Sequence, residues 1–122
     1  MANDRSYRDL MVWQKSMDLV EHVYRATQRF PKEETYGLKS QIRRSSVSIP
    51  SNIAEGQSRL TPGEFIQFLG IARGSLAELE TQLLLAQRLT LLAEAESQAL
   101  LKLASDIGRL LNGLVRPLTT DH

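Results

Sequence analysis

The 122-residue chain contains no cysteine and only four prolines and seven glycines. Without cysteine it has no disulfide, no thiolate nucleophile and no cysteine-based zinc site. The scarcity of proline and glycine favours helices over an architecture rich in turns. Apolar residues make up 42% of the chain and charged residues 24%, values that are typical of a globular domain with a single core.

Long apolar runs are also missing, since none approaches the roughly 20 residues that a membrane span requires. The first residues, MANDRSYRDL, lack the apolar stretch of a secretory signal. We therefore expect a cytoplasmic protein without a membrane partner. The net charge is +1, with +3 in residues 1–59 and −2 in residues 60–122. This mild asymmetry is far short of the basic footprint of a dedicated nucleic-acid binder.

Apolar residues recur at spacings of three and four in four segments, and no useful length alternates with period two. The pattern predicts an all-α fold. Short connections between long helices favour antiparallel neighbours, so we expect an up-down-up-down four-helix bundle forming one domain over residues 1–122. The predicted helices cover residues 8–30, 33–56, 61–89 and 93–116.

Several positions mark the core faces and the ends of these helices. We expect the first helix to face the core with a stripe that Val12, Leu19 and Val23 widen. The stripe itself consists of Leu10, Trp13, Met17, Val20 and Tyr24.

The third helix has the best-marked start, with a capping threonine, a proline at the first helical position and a glutamate that completes a capping box. These residues are Thr61, Pro62 and Glu64. Gly56 is expected to cap the second helix, and the fourth helix is expected to end before Pro117.

Pro50 interrupts the second apolar segment, within the stretch QIRRSSVSIPSNIAEG. A proline inside a helix removes one hydrogen bond and costs about 3 kcal/mol. Two interpretations remain open: the helix ends near Val47 and restarts near Ile49, or it is continuous and kinked at Pro50. We favour the kink, with nearby serines satisfying the freed backbone groups, because the apolar positions stay in phase across the proline. These positions are Leu38, Ile42, Ile49 and Ile53.

A helical wheel of the second helix places Val47, Pro50 and Ala54 in an apolar sector beside the core face. Because a four-helix core does not need this sector, it indicates a second buried contact, and we hypothesise that another subunit supplies it. The alternative is a half-exposed flank without a partner. The candidate interface residues are Arg44, Val47, Ser48, Pro50, Asn52, Ala54 and Glu55.

Residues 7–59, which include SIPSNIAEG, and the later segment FIQFLGIARGSLAELETQL resemble the four-helix-bundle protein family. This family is also described as the proteins encoded in intervening sequences of bacterial 23S rRNA genes. The resemblance covers residues 7–114 and implies an antiparallel bundle that assembles as a ring-like homopentamer. A related branch, the accessory variability determinant of diversity-generating retroelements, implies binding to nucleic acid and to a reverse transcriptase. That branch is markedly basic, whereas this chain is nearly neutral.

Basic residues at helical spacing on the first two helices form the candidate nucleic-acid site. They are Arg25, Arg29, Lys32, Lys39 and Arg43. If the two helices are adjacent, these side chains could contact phosphates as one patch, and repetition around an oligomer would add avidity. The alternative is a solvated, salt-bridged surface, since Glu33 and Glu34 lie between them. Tyr7 and Tyr36 are considered for base stacking but are not counted as site residues.

No nucleophile–base pair, glycine-rich phosphate loop or cluster of metal ligands is evident. Neither His22 nor His122 follows a glutamate by three residues, so a di-iron motif is missing. Arg44 and Glu55 are about 16 Å apart along a helix and cannot pair. We expect no enzyme, no metal and no cofactor. The leading hypothesis is a homo-oligomeric scaffold that binds RNA or DNA, and the alternative is a protein-binding adaptor, for example of a reverse transcriptase.

Overall fold

A computed structural model describes residues 6–119, with residue 119 described by its backbone alone. Its α-helices are α1 (Met11–Thr27), α2 (Leu38–Gln57), α3 (Pro62–Arg88) and α4 (Glu94–Thr119). Short 3₁₀ turns lie at Tyr7–Asp9 and Lys32–Glu34. Because residues 6–119 contain four helices and no strand, the predicted all-α fold is confirmed.

Each helix packs against the next one along the chain, and α4 also packs against α1, which makes a four-helix bundle. Contacts between α1 and α2 run in opposite order along the two helices. Trp13 early in α1 shares a groove with Pro50 late in α2, whereas Tyr24 late in α1 contacts Arg43 early in α2. These two helices are therefore antiparallel, while the full up-down-up-down order stays a prediction.

The core is one cluster of aliphatic side chains from all four helices. The predicted core positions of α2 are confirmed, because Ile42, Ile49 and Ile53 are fully buried. Leu79 and Leu83 of α3 are likewise inaccessible to solvent. Burial of this kind supplies most of the favourable free energy of folding for a bundle of this size.

The core face of α1 differs from the predicted one. Val12, Leu19 and Val23 are buried, whereas Met17 and Tyr24 of the predicted stripe are 42% and 41% exposed. Leu10 and Trp13 are only partly buried at the edge of the core. The residues that were expected to widen the face are therefore its centre.

Two polar residues explain why the apolar period did not identify this face. Ser16 and Thr27 are fully buried on the same side of α1. Their hydroxyls donate to the carbonyls of Val12 at 2.7 Å and Val23 at 2.8 Å, one turn earlier. Because both hydroxyls are satisfied within the helix, they can lie in the core without an unpaired polar group.

The predicted start of α3 is confirmed. Thr61 accepts a hydrogen bond from the Glu64 backbone N–H at 3.1 Å, and Pro62 occupies the first turn. The break between α3 and α4 lies after Arg88, close to its predicted place. Thr90 there has a φ of 59°, the left-handed conformation that glycine usually supplies at a helix end.

The expected cap at Gly56 is wrong. α2 continues to Gln57 with Ser58 as its cap, and no glycine of residues 6–119 has a positive φ. The absence of a side chain at Gly56 instead permits a close approach of α3. A Cβ atom at this position would lie 2.7 Å from the Phe68 Cβ.

The expected end of α4 before Pro117 is also wrong, because the helix continues through this proline to Thr119. Pro117 lies in the last turn of α4. Its ring therefore removes only one of the last backbone hydrogen bonds of the helix. The carbonyl that it frees belongs to Gly113, which is exposed and can bind water.

α2 is continuous through Pro50, so the interpretation that the helix ends and restarts at this point is wrong. A bend at this proline stays a prediction. The hydroxyls of Ser45 and Ser46 donate to the carbonyls of Ile42 and Arg43, so neither satisfies the Ser46 carbonyl, which lies four residues before Pro50 and is the one that the proline frees. α2 begins later than predicted, at Leu38, because residues 32–34 form the 3₁₀ turn.

Candidate assembly and nucleic-acid surfaces

An apolar groove of about 350 Å³ runs between α1 and α2. Val47, Pro50 and Ala54, the apolar sector predicted from the sequence, lie on its α2 side. The groove is lined by Tyr7, Trp13, Met17, Val20, Val47, Pro50, Ser51 and Ala54. Met17 and Val47 are 42% and 39% exposed, so a substantial part of this surface faces water.

The contribution of α1 to the apolar groove was missed by the sequence reasoning. Trp13, Met17 and Val20 were assigned to the core, yet they line the groove. The Tyr7 ring, from the 3₁₀ turn before α1, meets the Trp13 ring edge-on with 5.3 Å between centroids. The sequence feature that could have indicated this contribution is the width of the apolar face of α1. This face carries a second apolar stripe, beyond the one that a bundle core can bury.

The remaining candidate interface residues do not line the apolar groove. The hydroxyls of Ser48 and Ser75 lie 2.7 Å apart, so Ser48 faces α3. The Asn52 amide donates to the backbone carbonyl and the hydroxyl of Ser48. Glu55 pairs with Arg59 at 2.8 Å, although Arg59 lies two residues beyond the end of α2 at Gln57.

The candidate basic residues divide between two sides of α1. Arg25 and Arg29 line a groove of about 470 Å³ between α1 and α4, beside His22. Both arginines are exposed and paired with carboxylates: Arg25 with Glu21 at 3.5 Å, and Arg29 with Glu96 at 2.5 Å. Exposed ion pairs of this kind contribute little to stability, at about 0–1 kcal/mol. The paired carboxylates nevertheless lower the positive potential that each arginine presents to another anion.

Lys39 and Arg43 lie on the other side, in a basic groove of about 360 Å³ between α1 and α2. This basic groove is lined by Tyr24, Thr35, Lys39, Ser40, Arg43 and Arg44. Arg44, assigned from the sequence to the subunit interface, thus lies with the cations. Lys32, in the exposed 3₁₀ turn, lines neither groove.

Arg43 is held in place by α1. Its guanidinium carbon lies 4.2 Å from the centroid of the Tyr24 ring, the geometry of a cation–π contact. Its Nε donates to the Thr27 hydroxyl at 2.9 Å, and one Nη donates to the Tyr24 carbonyl at 3.0 Å. The side chain therefore bridges α1 and α2 at one end of the seam, the line of contact between these two helices. Trp13 and the apolar groove lie at the other end.

Within residues 6–119, no three histidine or carboxylate side chains come together in a way that could hold a metal ion. Over the same residues, no helix combines the length and the apolar character needed to cross a membrane.

The fold and these surfaces define a small four-helix bundle with a half-exposed apolar groove and separate basic grooves. The family model described as 23S rRNA-intervening sequence protein matches residues 8–113. The chain therefore belongs to this family, in agreement with the resemblance noted in its sequence.

Among solved structures, the chain is similar to a protein of unknown function from the S23 ribosomal protein family of Bacteroides thetaiotaomicron, a crystal structure at 1.70 Å resolution. The TM-score is 0.79 at 24% sequence identity, and the match covers 87% of this chain and 99% of that chain. At this identity the likeness supports the fold alone. No curated protein sequence matches the chain.

Proposed function

We propose that this protein is a non-enzymatic scaffold that assembles with copies of itself through the apolar groove and binds nucleic acid through its basic residues. The single observation that carries the proposal is the apolar groove, in which Met17 of α1 and Val47 of α2 remain 42% and 39% exposed. A ring of five subunits is the assembly that the family resemblance implies.

Self-assembly would remove Met17 and Val47 from water. Transfer of apolar surface out of water stabilises an association by about 25 cal/mol per Å² of buried area, before the costs of association. A closed ring needs two different surfaces on each subunit, because each copy contacts one neighbour on either side. The apolar groove is one of these surfaces in our proposal.

Nucleic-acid binding is the second part of the proposal. The basic residues at the end of α1 line the groove toward α4, whereas those of the first turns of α2 lie at the seam between α1 and α2. One subunit offers a weak patch, whereas an oligomer repeats it and gains avidity on a long polyanion. The name of the family, which refers to an intervening sequence in 23S rRNA, makes RNA the first nucleic acid to test.

The assembly is tested by measuring the mass of the protein in solution with multi-angle light scattering. Val47→Glu places a charge in the apolar groove, where assembly would bury it unpaired at a cost of about 3–5 kcal/mol. We expect the variant to dissociate at concentrations roughly 100-fold to several thousand-fold higher than the wild type. Ile71→Glu on α3 is the matched control, since Ile71 is 47% exposed and lies outside the groove.

Two outcomes would contradict the assembly: a wild type that is monomeric at all accessible concentrations, or a Val47→Glu variant that dissociates no more readily than the wild type. For the second part, the same oligomer is titrated into labelled RNA at several salt concentrations, where phosphate contacts must weaken steeply with salt. Absence of binding at low salt would favour the alternative, a protein-binding adaptor, with a reverse transcriptase as the first partner to examine.

A further inference from the structure

The cations of this protein differ in whether a carboxylate already neutralises them. Lys39 and Arg44 form no ion pair with any residue that the structure describes. Arg25, Arg29 and Arg59, by contrast, each pair with a carboxylate. The basic groove therefore brings together three cations, Lys39, Arg43 and Arg44, that pair with no carboxylate of the described residues.

Arg43 adds a preorganised donor to the same groove. A guanidinium has five N–H donors, and Arg43 uses one on the Thr27 hydroxyl and one on the Tyr24 carbonyl. Three donors remain on a group whose orientation the Tyr24 ring already fixes. A side chain held in this way loses little conformational entropy when it binds an anion.

The rest of the groove wall also suits a phosphate. Thr35 and Ser40 supply hydroxyl groups, which can donate to phosphate oxygens. Lys39 and Ser40 belong to the first turn of α2, the positive end of the helix dipole. The carboxylate of Glu34 already accepts the Leu38 N–H at this helix end, at 2.9 Å, so the phosphate contacts fall to side chains of the groove rather than to the first backbone N–H groups of α2.

An exposed aromatic residue adjoins this groove in the sequence. Tyr36 directly follows Thr35, a groove residue, and it is 95% exposed. An exposed aromatic ring beside a cationic groove is the arrangement by which proteins bind single strands, with phosphates on the cations and an unpaired base stacked on the ring. A duplex keeps its bases stacked on one another and gains nothing from such a ring.

We infer that the basic groove binds a phosphate of single-stranded nucleic acid, with the adjoining base stacked on Tyr36. The inference rests on the nucleic-acid part of the proposed function and narrows it to one site and one class of ligand. It assigns the phosphate contacts to Lys39, Arg43 and Arg44 rather than to Arg25 and Arg29.

The test is fluorescence anisotropy with a labelled oligouridine and the full chain at several salt concentrations. Lys39→Gln with Arg44→Gln should weaken binding by about 100-fold, since each of the two removed charged contacts costs about tenfold. The slope of log K against log salt should fall by about 1.4, the value for two lost contacts on a single strand. Arg73→Gln with Arg88→Gln, which removes the same charge from the exposed side of α3, is the control and should leave affinity within about twofold.

Tyr36→Ala separates stacking from charge. Because the side chain is almost fully exposed, its removal leaves the core untouched. We expect about tenfold weaker binding of the oligouridine, the effect of losing one stacked base, and unchanged binding of a duplex of equal length.

Three results would overturn the inference in distinguishable ways. Equal losses of affinity in the groove variant and its α3 control would show that the basic groove is not the binding site, although the protein does bind nucleic acid. A loss confined to Arg25→Gln with Arg29→Gln would move the site to the groove between α1 and α4. If the wild type binds no oligonucleotide at low salt but inorganic phosphate shifts the Ser40 amide resonance, the groove takes a free phosphate, and the nucleic-acid part of the proposed function is wrong.

Discussion

The two sides of α2 are built differently. Against α3 the contact is closed: Gly56 admits the Phe68 side chain, and the buried Ser45 hydroxyl meets the Gln82 side chain at 2.7 Å. Against α1 the contact is open at its Trp13 end, where the half-exposed apolar groove lies, and is bridged by Arg43 at the other end.

The two sides of α2 therefore have different roles, one in the stability of the monomer and one, in our proposal, in assembly. Small residues toward α3 allow close packing, and their polar groups are satisfied across the contact, so that side stabilises the monomer. The side toward α1 leaves apolar surface that the monomer does not use. In our proposal a neighbouring subunit uses it.

The largest effect on monomer stability is expected at Gly56. In Gly56→Ala the new Cβ meets the Phe68 Cβ, an atom fixed to the α3 backbone, so the helices must move apart. We expect the free energy of unfolding to fall by about 2 kcal/mol, the usual cost of overpacking a close contact. Chemical denaturation monitored by circular dichroism measures it.

Gly74→Ala is the matched control on the outer face of α3, where a new Cβ would have no atom within 4 Å. Alanine is the better helix former, so this variant should gain about 1 kcal/mol. Equal stability of the two variants would show that the contact between α2 and α3 is looser than the Gly56–Phe68 approach indicates.

Ser45→Ala tests the polar part of the closed side. It removes the hydroxyl that donates to the buried Gln82 side-chain oxygen and leaves that oxygen without this partner. We expect a loss of about 1.5 kcal/mol, which is within the desolvation cost of an unsatisfied buried group. Adding Gln82→Met should restore most of it, because both polar partners are then gone. A double variant no more stable than the single one would contradict this account.

The smallest effect is expected on the open side. Arg43→Met keeps much of the aliphatic stem but loses the contact with the Tyr24 ring and the hydrogen bonds to α1. Since Tyr24 is partly exposed, we expect a loss of about 1 kcal/mol. A loss larger than that of Gly56→Ala would mean that the seam between α1 and α2 is the stronger one, and the comparison would be reversed.

The sequence predicted the four helices because their apolar periods and the Thr61 cap are local signals. It did not predict the core face of α1. Ser16 and Thr27 satisfy their hydroxyls within the helix, and nothing in a periodic pattern distinguishes such residues from exposed ones. Gly56 was misjudged for a related reason, since only the position of Phe68 on another helix reveals its use.

The candidate site was predicted in the same uneven way. Val47, Pro50 and Ala54 could be found on one helix by a helical wheel, and the structure places them together. The basic residues could not be grouped correctly, because spacing on α1 does not tell which neighbouring helix lies beside each side chain. Arg25 turns toward α4, whereas Arg43 reaches α1 from α2.

The most direct test of the assembly surface uses Trp13, the only tryptophan of the chain, which lines the apolar groove. Acrylamide quenching of its fluorescence is measured across a dilution series while light scattering follows the mass. We predict that quenching rises as the mass falls to that of one subunit, because dissociation uncovers the groove. Quenching that stays constant while the oligomer dissociates would place the subunit contact elsewhere and contradict the account.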